Sequence, residues 1–241
     1  MTSPVPRTAM VFAAGLGTRM RPISDTMPKP LIRIVGKPLI DHTLDRLAQA
    51  GVRTAVVNIH HHADQLEKHL LKRTAPKIVI SDERKKLLDQ GGGIRKALPH
   101  LGDAPFFICN TDSFWIEGPH ANLPRFAAGW DPKKMDIFLL VATTAASVGV
   151  DWPGDFMMDS LGRLQFREER RVAPFVYTGV GIIKPELFKE AKEDVFRLAP
   201  YFHKAAAAGR LYGMRLDGLW FHVGMPQAIE EAERTVARSI L

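Results

Sequence analysis

The sequence predicts an α/β fold with a mixed, mainly parallel central sheet and helices on both faces. Three observations carry that prediction. In the first half of the chain, short apolar runs alternate with amphipathic stretches of helix length, the order that builds a parallel sheet. The first run, residues 9–14, is apolar at every position, as a strand covered on both faces should be. The 241 residues, 46% of them hydrophobic, suffice for one large core but not comfortably for two, so 1–241 reads as a single domain.

Residues 1–7 read as a lead-in, and 9–14 as the first strand. A loop over 15–30 follows, then a short apolar run at 31–35. Pro38 opens a helix at the first-turn position that tolerates proline; Leu39, Ile40, Leu44 and Leu47 form its apolar stripe, and Gly51 caps it. Strand, helix and strand follow at 52–59, 63–72 and 77–81. Three glycines, 91–93, stand ahead of a short helix ending near Pro99, and 105–110 is the next strand. The second half is less regular. Strands are expected at 136–142, 155–158, 164–166, 176–183 and 211–216, with two helical stretches before the last strand and a final helix over 226–240. No internal repeat and no hexapeptide array is present.

Bulk properties narrow the function. The net charge of +7 favours anionic partners. The lysines and arginines are scattered, without basic runs or aromatic interleaving, which argues against nucleic acid. No apolar run is long enough for a membrane span and no signal-peptide pattern opens the chain. With a single cysteine, Cys109, inside an apolar strand pattern, no disulfide framework exists. A cytoplasmic protein acting on phosphorylated small molecules is expected; the oligomeric state is not legible.

The loop after the first strand carries most of the chemistry. Gly15 and Gly17 allow a tight turn and close approach of the backbone to a ligand. Amide groups gathered in such a turn suit a phosphate, and Arg19, Arg21 and Lys29 add cations. Pro28 and Pro30 keep Lys29 extended. A dinucleotide fingerprint is excluded because Met20 stands where its third glycine belongs, and no Walker A loop occurs. Asp112 follows the strand at 105–110, at the edge where open α/β sheets bind ligands, and a carboxylate there suits a magnesium ion bridging phosphates. Gly91 to Gly93 read as a second close-approach loop. His60, His61 and His62 are adjacent on one chain segment, so their side chains diverge and do not converge on a metal.

The run G-x-G-T-R-x-R-P from Gly15 to Pro22, with Pro28-Lys29-Pro30 downstream, resembles the signature of the sugar-1-phosphate nucleotidyltransferases. The resemblance implies a Rossmann-like nucleotidyltransferase domain, with a nucleotide-binding half at about 8–112 and a sugar-phosphate-binding half at about 113–241. It implies an enzyme that joins a nucleoside triphosphate to a sugar 1-phosphate, releasing pyrophosphate, with Mg2+ as cofactor. By that resemblance Arg19, Lys29 and Asp112 are catalytic. The nucleotide lies against Ala14, Gly15, Gly17, Thr18, Arg19, Lys29, Ser81, Gly91 and Gly92, and the sugar against Asn110, Gly154, Glu168, Thr178 and Gly179. The metal site comprises Asp112 and, at the position of the family's second acid, His222, which either replaces that ligand or leaves the metal to Asp112, water and substrate phosphates. The short form with L-x-x-G-G-G-I at 88–94 is most similar to N-acetylmuramate-1-phosphate uridylyltransferases of peptidoglycan recycling. Mannose-1-phosphate guanylyltransferases and glucose-1-phosphate thymidylyl- or uridylyltransferases are the alternatives. One departure stands out: Trp220-Phe221-His222-Val223-Gly224 has histidine where the family has aspartate. That missing carboxylate leaves a nucleotide-sugar-binding regulator as a non-catalytic alternative.

Overall fold

Two neighbouring parallel strands end on the same edge of a nine-stranded sheet, and that edge carries the candidate site. The computed structural model describes residues 5–239. The lead-in at 1–4 and the end of the last helix at 240 lie outside the described residues.

In chain order the elements are β1 (Thr8–Phe12), β2 (Arg33–Ile34), β3 (Lys37–Pro38), α1 (Leu39–Gln49), β4 (Thr54–Ile59), α2 (Ala63–Leu70), β5 (Lys77–Asp82) and α3 (Asp89–Leu101). There follow β6 (Phe106–Asn110), β7 (Ser113–Glu117), α4 (Asn122–Ala128), β8 (Ile137–Thr143), β9 (Phe156–Met158), β10 (Leu164–Phe166) and β11 (Phe175–Ile183). The chain continues through α5 (Glu186–Lys189), α6 (Ala199–Ala207), β12 (Leu211–Arg215), β13 (Gly218–His222) and α7 (Gln227–Ser239).

The main sheet runs β10-β9-β11-β6-β1-β4-β5, with β8 paired to β11 and β12 to β8. Strands β5, β4, β1 and β6 are mutually parallel, β12 is parallel to β8, and β11 runs against both groups. The expected mixed, mainly parallel sheet is therefore what forms. Because successive side chains alternate across a strand, Ala9 and Val11 pack with α1, α2 and α4 in one core, while Met10 packs with α3, α5 and α6 in another. Helices thus cover both faces, which is why residues 9–12 carry no polar side chain.

Several boundaries differ from the sequence reading. The first strand stops at Phe12, because the Ala13 amide turns to the side chain of Asn58 at 2.7 Å instead of continuing the ladder. Pro38 precedes the helix and ends β3 rather than entering α1, with an extended backbone (ψ 141°). The run at 31–35 supplies only Arg33–Ile34, in a two-residue hairpin with Lys37–Pro38. A separate two-stranded sheet, β7 with β13, was not foreseen, nor was α4. This small sheet packs with α7, Met20, Ile34 and Leu39 in a third core that braces the loop after β1.

Candidate active site

Registered side by side, Phe12 of β1 faces Asn110 of β6 and Asn58 of β4. The chain leaves β1 into the glycine loop and leaves β6 into Thr111-Asp112, so both segments meet above the sheet edge. Thr111 Oγ1 donates to the Phe12 carbonyl at 2.8 Å and ties the two strand ends together. The result is a cavity of about 510 Å³.

Its floor is the loop. Gly17 adopts φ 64°, the left-handed conformation that glycine takes without a Cβ clash, and a Cβ there would lie 3.1 Å from Ser24. Ser24 Oγ donates to the Gly17 carbonyl at 2.8 Å, and the Ser24 carbonyl pairs with His61 Nε2 at 2.8 Å. His60 Nδ1 lies 2.7 Å from the Glu83 carbonyl. These two histidines brace backbone on different sides, as diverging neighbours should.

Lys29 and Asp112 form the charged wall. Nζ of Lys29 donates to Asp112 Oδ2 at 3.1 Å, with side chains 13% and 26% exposed. Burial pushes the Asp112 carboxyl up, but the charge of Lys29, with His222 and Arg19 farther off, outweighs it and holds the group below the usual carboxylate range. Arg19, exposed in a one-turn 3-10 helix at Thr18–Met20, lines the same cavity. Burial, with Lys29 and Arg19 adding to it, lowers the His222 imidazole more than Asp112 raises it. It sits edge-on to Trp152 at 5.3 Å, with Gly224 so close that a Cβ would come within 2.5 Å of Nε2.

Opposite the loop, a polar chain crosses the sheet edge. Asn58 accepts from Ala13 N–H and donates Nδ2 to Glu83 Oε1 at 2.9 Å, while Glu83 Oε2 accepts from Leu88 N–H at 3.0 Å. Burial pushes the Glu83 carboxyl up, and these donors offset it in part. Two loops from different strands are thereby held at one spacing. Gln90 Nε2 then donates to Asn110 Oδ1 at 3.0 Å, and both side chains line the cavity.

Of the residues singled out in the sequence, Ala14, Gly15, Gly17, Thr18, Arg19, Lys29, Asn110 and Asp112 line this one cavity. Gly154 lies on a neighbouring hollow that shares Gln90 and Asn110. His222 lines a smaller adjacent hollow with Arg19 and Asp151. Others are placed elsewhere. Ser81 is buried on β5, paired in register opposite Asn58. Gly91 and Gly92 are not a loop: they lie inside α3 and are buried. A Cβ at either would collide with Phe196 or the Asp194 carbonyl, and both amides donate to the Phe196 carbonyl. Their lack of side chains admits the 194–196 segment against the helix. Thr178 is fully buried, donating to the Leu140 carbonyl, and Gly179 backs Asn110. Glu168 is exposed and pairs with Arg171 at 2.9 Å. Asp217, a spare carboxylate near the His222 motif, sits at the opposite end of β13.

Sequence reasoning missed Asn58, Glu83, Gln90 and Val195. Asn58 had a signal, a lone amide in the apolar run 52–59. Val195 had none, since it reaches the cavity only through the packing of 194–196 on α3.

A parallel sheet edge with a glycine loop, the cations Arg19 and Lys29 and a carboxylate defines a phosphate-handling α/β protein. Comparison with known proteins narrows the class. A family model described as nucleotidyl transferase matches residues 8–146. The chain is 48% identical to N-acetylmuramate alpha-1-phosphate uridylyltransferase of Caulobacter vibrioides, over 98% of this chain and 100% of that one. The protein of the same name from Neisseria meningitidis serogroup B is 34% identical, over 93% and 96%. A solved UDP-glucose pyrophosphorylase with UDP-glucose superposes with a TM-score of 0.79 at 18% identity, covering 97% of this chain and 99% of that chain. The inositol-1-phosphate CTP transferase from T. maritima gives 0.73 at 18% identity, over 95% and 97%. At such identities the structures speak for the fold. The chain belongs to the nucleotidyl transferase family.

Proposed function

We propose that this protein transfers a uridylyl group from UTP to N-acetylmuramate 1-phosphate, giving a nucleotide-sugar and pyrophosphate. The observation that carries the reading is the single cavity joining the 15–19 loop, Lys29 and Asp112, together with 48% identity to a uridylyltransferase over nearly the whole chain.

The sugar phosphate needs no general base, since a phosphate monoester with a second pKa of about 6 is largely dianionic at neutral pH. The barrier is repulsion between two anions, which fixed cations and backbone amides lower by electrostatic stabilisation and in-line placement. In this reading the Gly15–Thr18 backbone cradles the triphosphate, Arg19 meets the departing pyrophosphate, and Lys29 meets the phosphates at the reaction centre. The 8–112 half carries the nucleotide and the 113–241 half most of the sugar phosphate.

Among the described residues no three acidic, histidine or cysteine side chains converge as a metal cluster. Asp112 nevertheless fits magnesium, which takes one or two carboxylates and completes its shell with phosphate oxygens and water. Asp112 Oδ2 is engaged by Lys29 and Oδ1 has no protein partner among the described residues. Magnesium held there would neutralise phosphate charge. His222, a neutral nitrogen donor, is a poor magnesium ligand and serves as a neighbour. A place in the cytoplasm and a role in peptidoglycan recycling belong to this proposal; no helix among the described residues is long and apolar enough to cross a membrane.

A pyrophosphate-release screen of nucleoside triphosphates against sugar 1-phosphates tests the reading. Turnover of GTP with mannose 1-phosphate more than about tenfold above that of UTP with N-acetylmuramate 1-phosphate would replace it with the guanylyltransferase alternative.

A further inference from the structure

Beside the nucleotide cavity lies a hollow of about 390 Å³ that shares Gln90 and Asn110 with it. Phe156, Phe166 and Tyr177 give it aromatic walls, and its charged side chains are Asp155 and Arg167. Asp155 is committed to the protein. Its Oδ1 accepts from the Trp152 indole at 3.1 Å and its Oδ2 from the Tyr177 amide at 2.8 Å.

Arg167 is held in another way. Its Nε–H donates to the Gly154 carbonyl at 3.1 Å, and Nη1 donates to the carbonyls of Glu168 at 3.1 Å and Arg171 at 3.0 Å. Neutral main-chain acceptors thus fix the guanidinium plane without neutralising its charge. Among the described residues it forms no ion pair, because the adjacent Glu168 turns to Arg171. Its Nη2 amino group has no protein acceptor among the described residues. The Arg167 charge acts on the Asp155 carboxylate in the same hollow, but no carboxylate among the described residues pairs with it directly, and a fixed guanidinium with free N–H groups matches a carboxylate.

N-acetylmuramate 1-phosphate carries such a group on its lactyl ether, and N-acetylglucosamine 1-phosphate is the same sugar without it. Resting on the function proposed above, we infer that Arg167 binds the lactyl carboxylate and makes this hollow selective for the muramate sugar. The residue is a specificity determinant; it does not act on the reacting phosphates, which lie with Lys29 and Asp112.

The test compares initial rates with the two sugar phosphates at saturating UTP for the wild type, R167Q and R167K. Wild type should prefer the muramate substrate. R167Q should raise its KM for that substrate by about 10- to 100-fold, the worth of one charge-assisted contact. Its kcat, and its KM for N-acetylglucosamine 1-phosphate, should stay near wild type. R167K keeps the charge but not the fork, and should lose part of the selectivity; it also decides the matter if R167Q does not fold. Equal losses on both sugars would mark Arg167 as structural and overturn the inference, as would unchanged selectivity in a folded variant. A wild type with no preference for the muramate sugar would instead overturn the parent reading, and this inference with it, before any variant is compared.

Discussion

Lys29 and Asp112 stand 3.1 Å apart on the cavity wall, both mostly shielded from water, and that pairing sets what their loss should do. On the proposed function, removing Lys29 takes away a positioned cation from the phosphates, and it leaves Asp112 without its partner. Lys29→Ala is expected to cut kcat by about a hundredfold or more while the protein remains folded, the effect of losing one transition-state donor; steady-state kinetics beside a melting curve separates the two. His222→Asp restores a hard oxygen donor and should lower the magnesium concentration needed for half-maximal rate, read from a metal titration; wild-type activity with manganese but none with magnesium would contradict the role given to Asp112. Asn58 tests the bracing on the other side. Asn58→Leu strands the Ala13 amide and Glu83 Oε1, a loss of about 2–3 kcal/mol for buried groups left unpaired. Because Glu83 is already pushed up by burial, it titrates higher once Asn58 is gone. A raised folded-state carboxyl binds its proton longer than the unfolded chain does, so stability falls as pH rises through that window. Denaturant unfolding should therefore show the variant's deficit widening from acid to neutral pH.

At the level of elements, α3 shows how the same letters read differently in sequence and in space. Three consecutive glycines signal a loop on composition, yet Gly91 to Gly93 are helical because the 194–196 segment and Glu83 occupy the space their side chains would fill. Gly92→Ala places two effects in opposition. Alanine is the better helix former by about 1 kcal/mol, whereas its Cβ meets the Asp194 carbonyl and overpacking of this kind costs about 1–3 kcal/mol. The clash is backbone and cannot turn away, so net destabilisation is expected in a thermal melt; a stabilised variant would mean that 194–196 moves freely. Elements of the parallel half were legible because each buries a periodic apolar face close in sequence to its partner. The pairing of β7 with β13 was not, since Trp115 meets Trp220 only across the intervening chain. The glycine loop, Lys29 and Asp112 were legible because strand ends dictate where they lie. Glu168 and Thr178 were assigned to the sugar on a short resemblance, and the structure leaves one exposed and paired and the other buried in the sheet.

Across the whole molecule, the two strand groups meet at β11, and Asp136 ties the far side of that junction. It accepts from Lys184 at 2.8 Å, just past β11, and from Arg210 at 2.8 Å, just before β12. Burial raises the Asp136 carboxyl, but hydrogen bonds from Arg210 and Lys184 outweigh it and hold it below the usual range. A lowered folded-state carboxyl contributes stability above its unfolded value of about 3.9 and loses it as pH falls through the folded one. Asp136→Asn should accordingly melt lower at neutral pH and show a shallower acid decline than the wild type, measured by melting temperature against pH. The junction matters because β6 and β11 bring the main cavity and the hollow beside it, the proposed nucleotide and sugar sites, together over Asn110 and Gln90. That arrangement is the central claim: one phosphate attacks another across a shared wall, and the bond broken lies between the α- and β-phosphates. Incubation with UTP labelled at the α-phosphorus, N-acetylmuramate 1-phosphate and magnesium tests it most directly. The account predicts that the α-label appears in the nucleotide-sugar, while a γ-label appears in pyrophosphate. Free γ-phosphate, or tight binding of both substrates without transfer of the α-label, would contradict it.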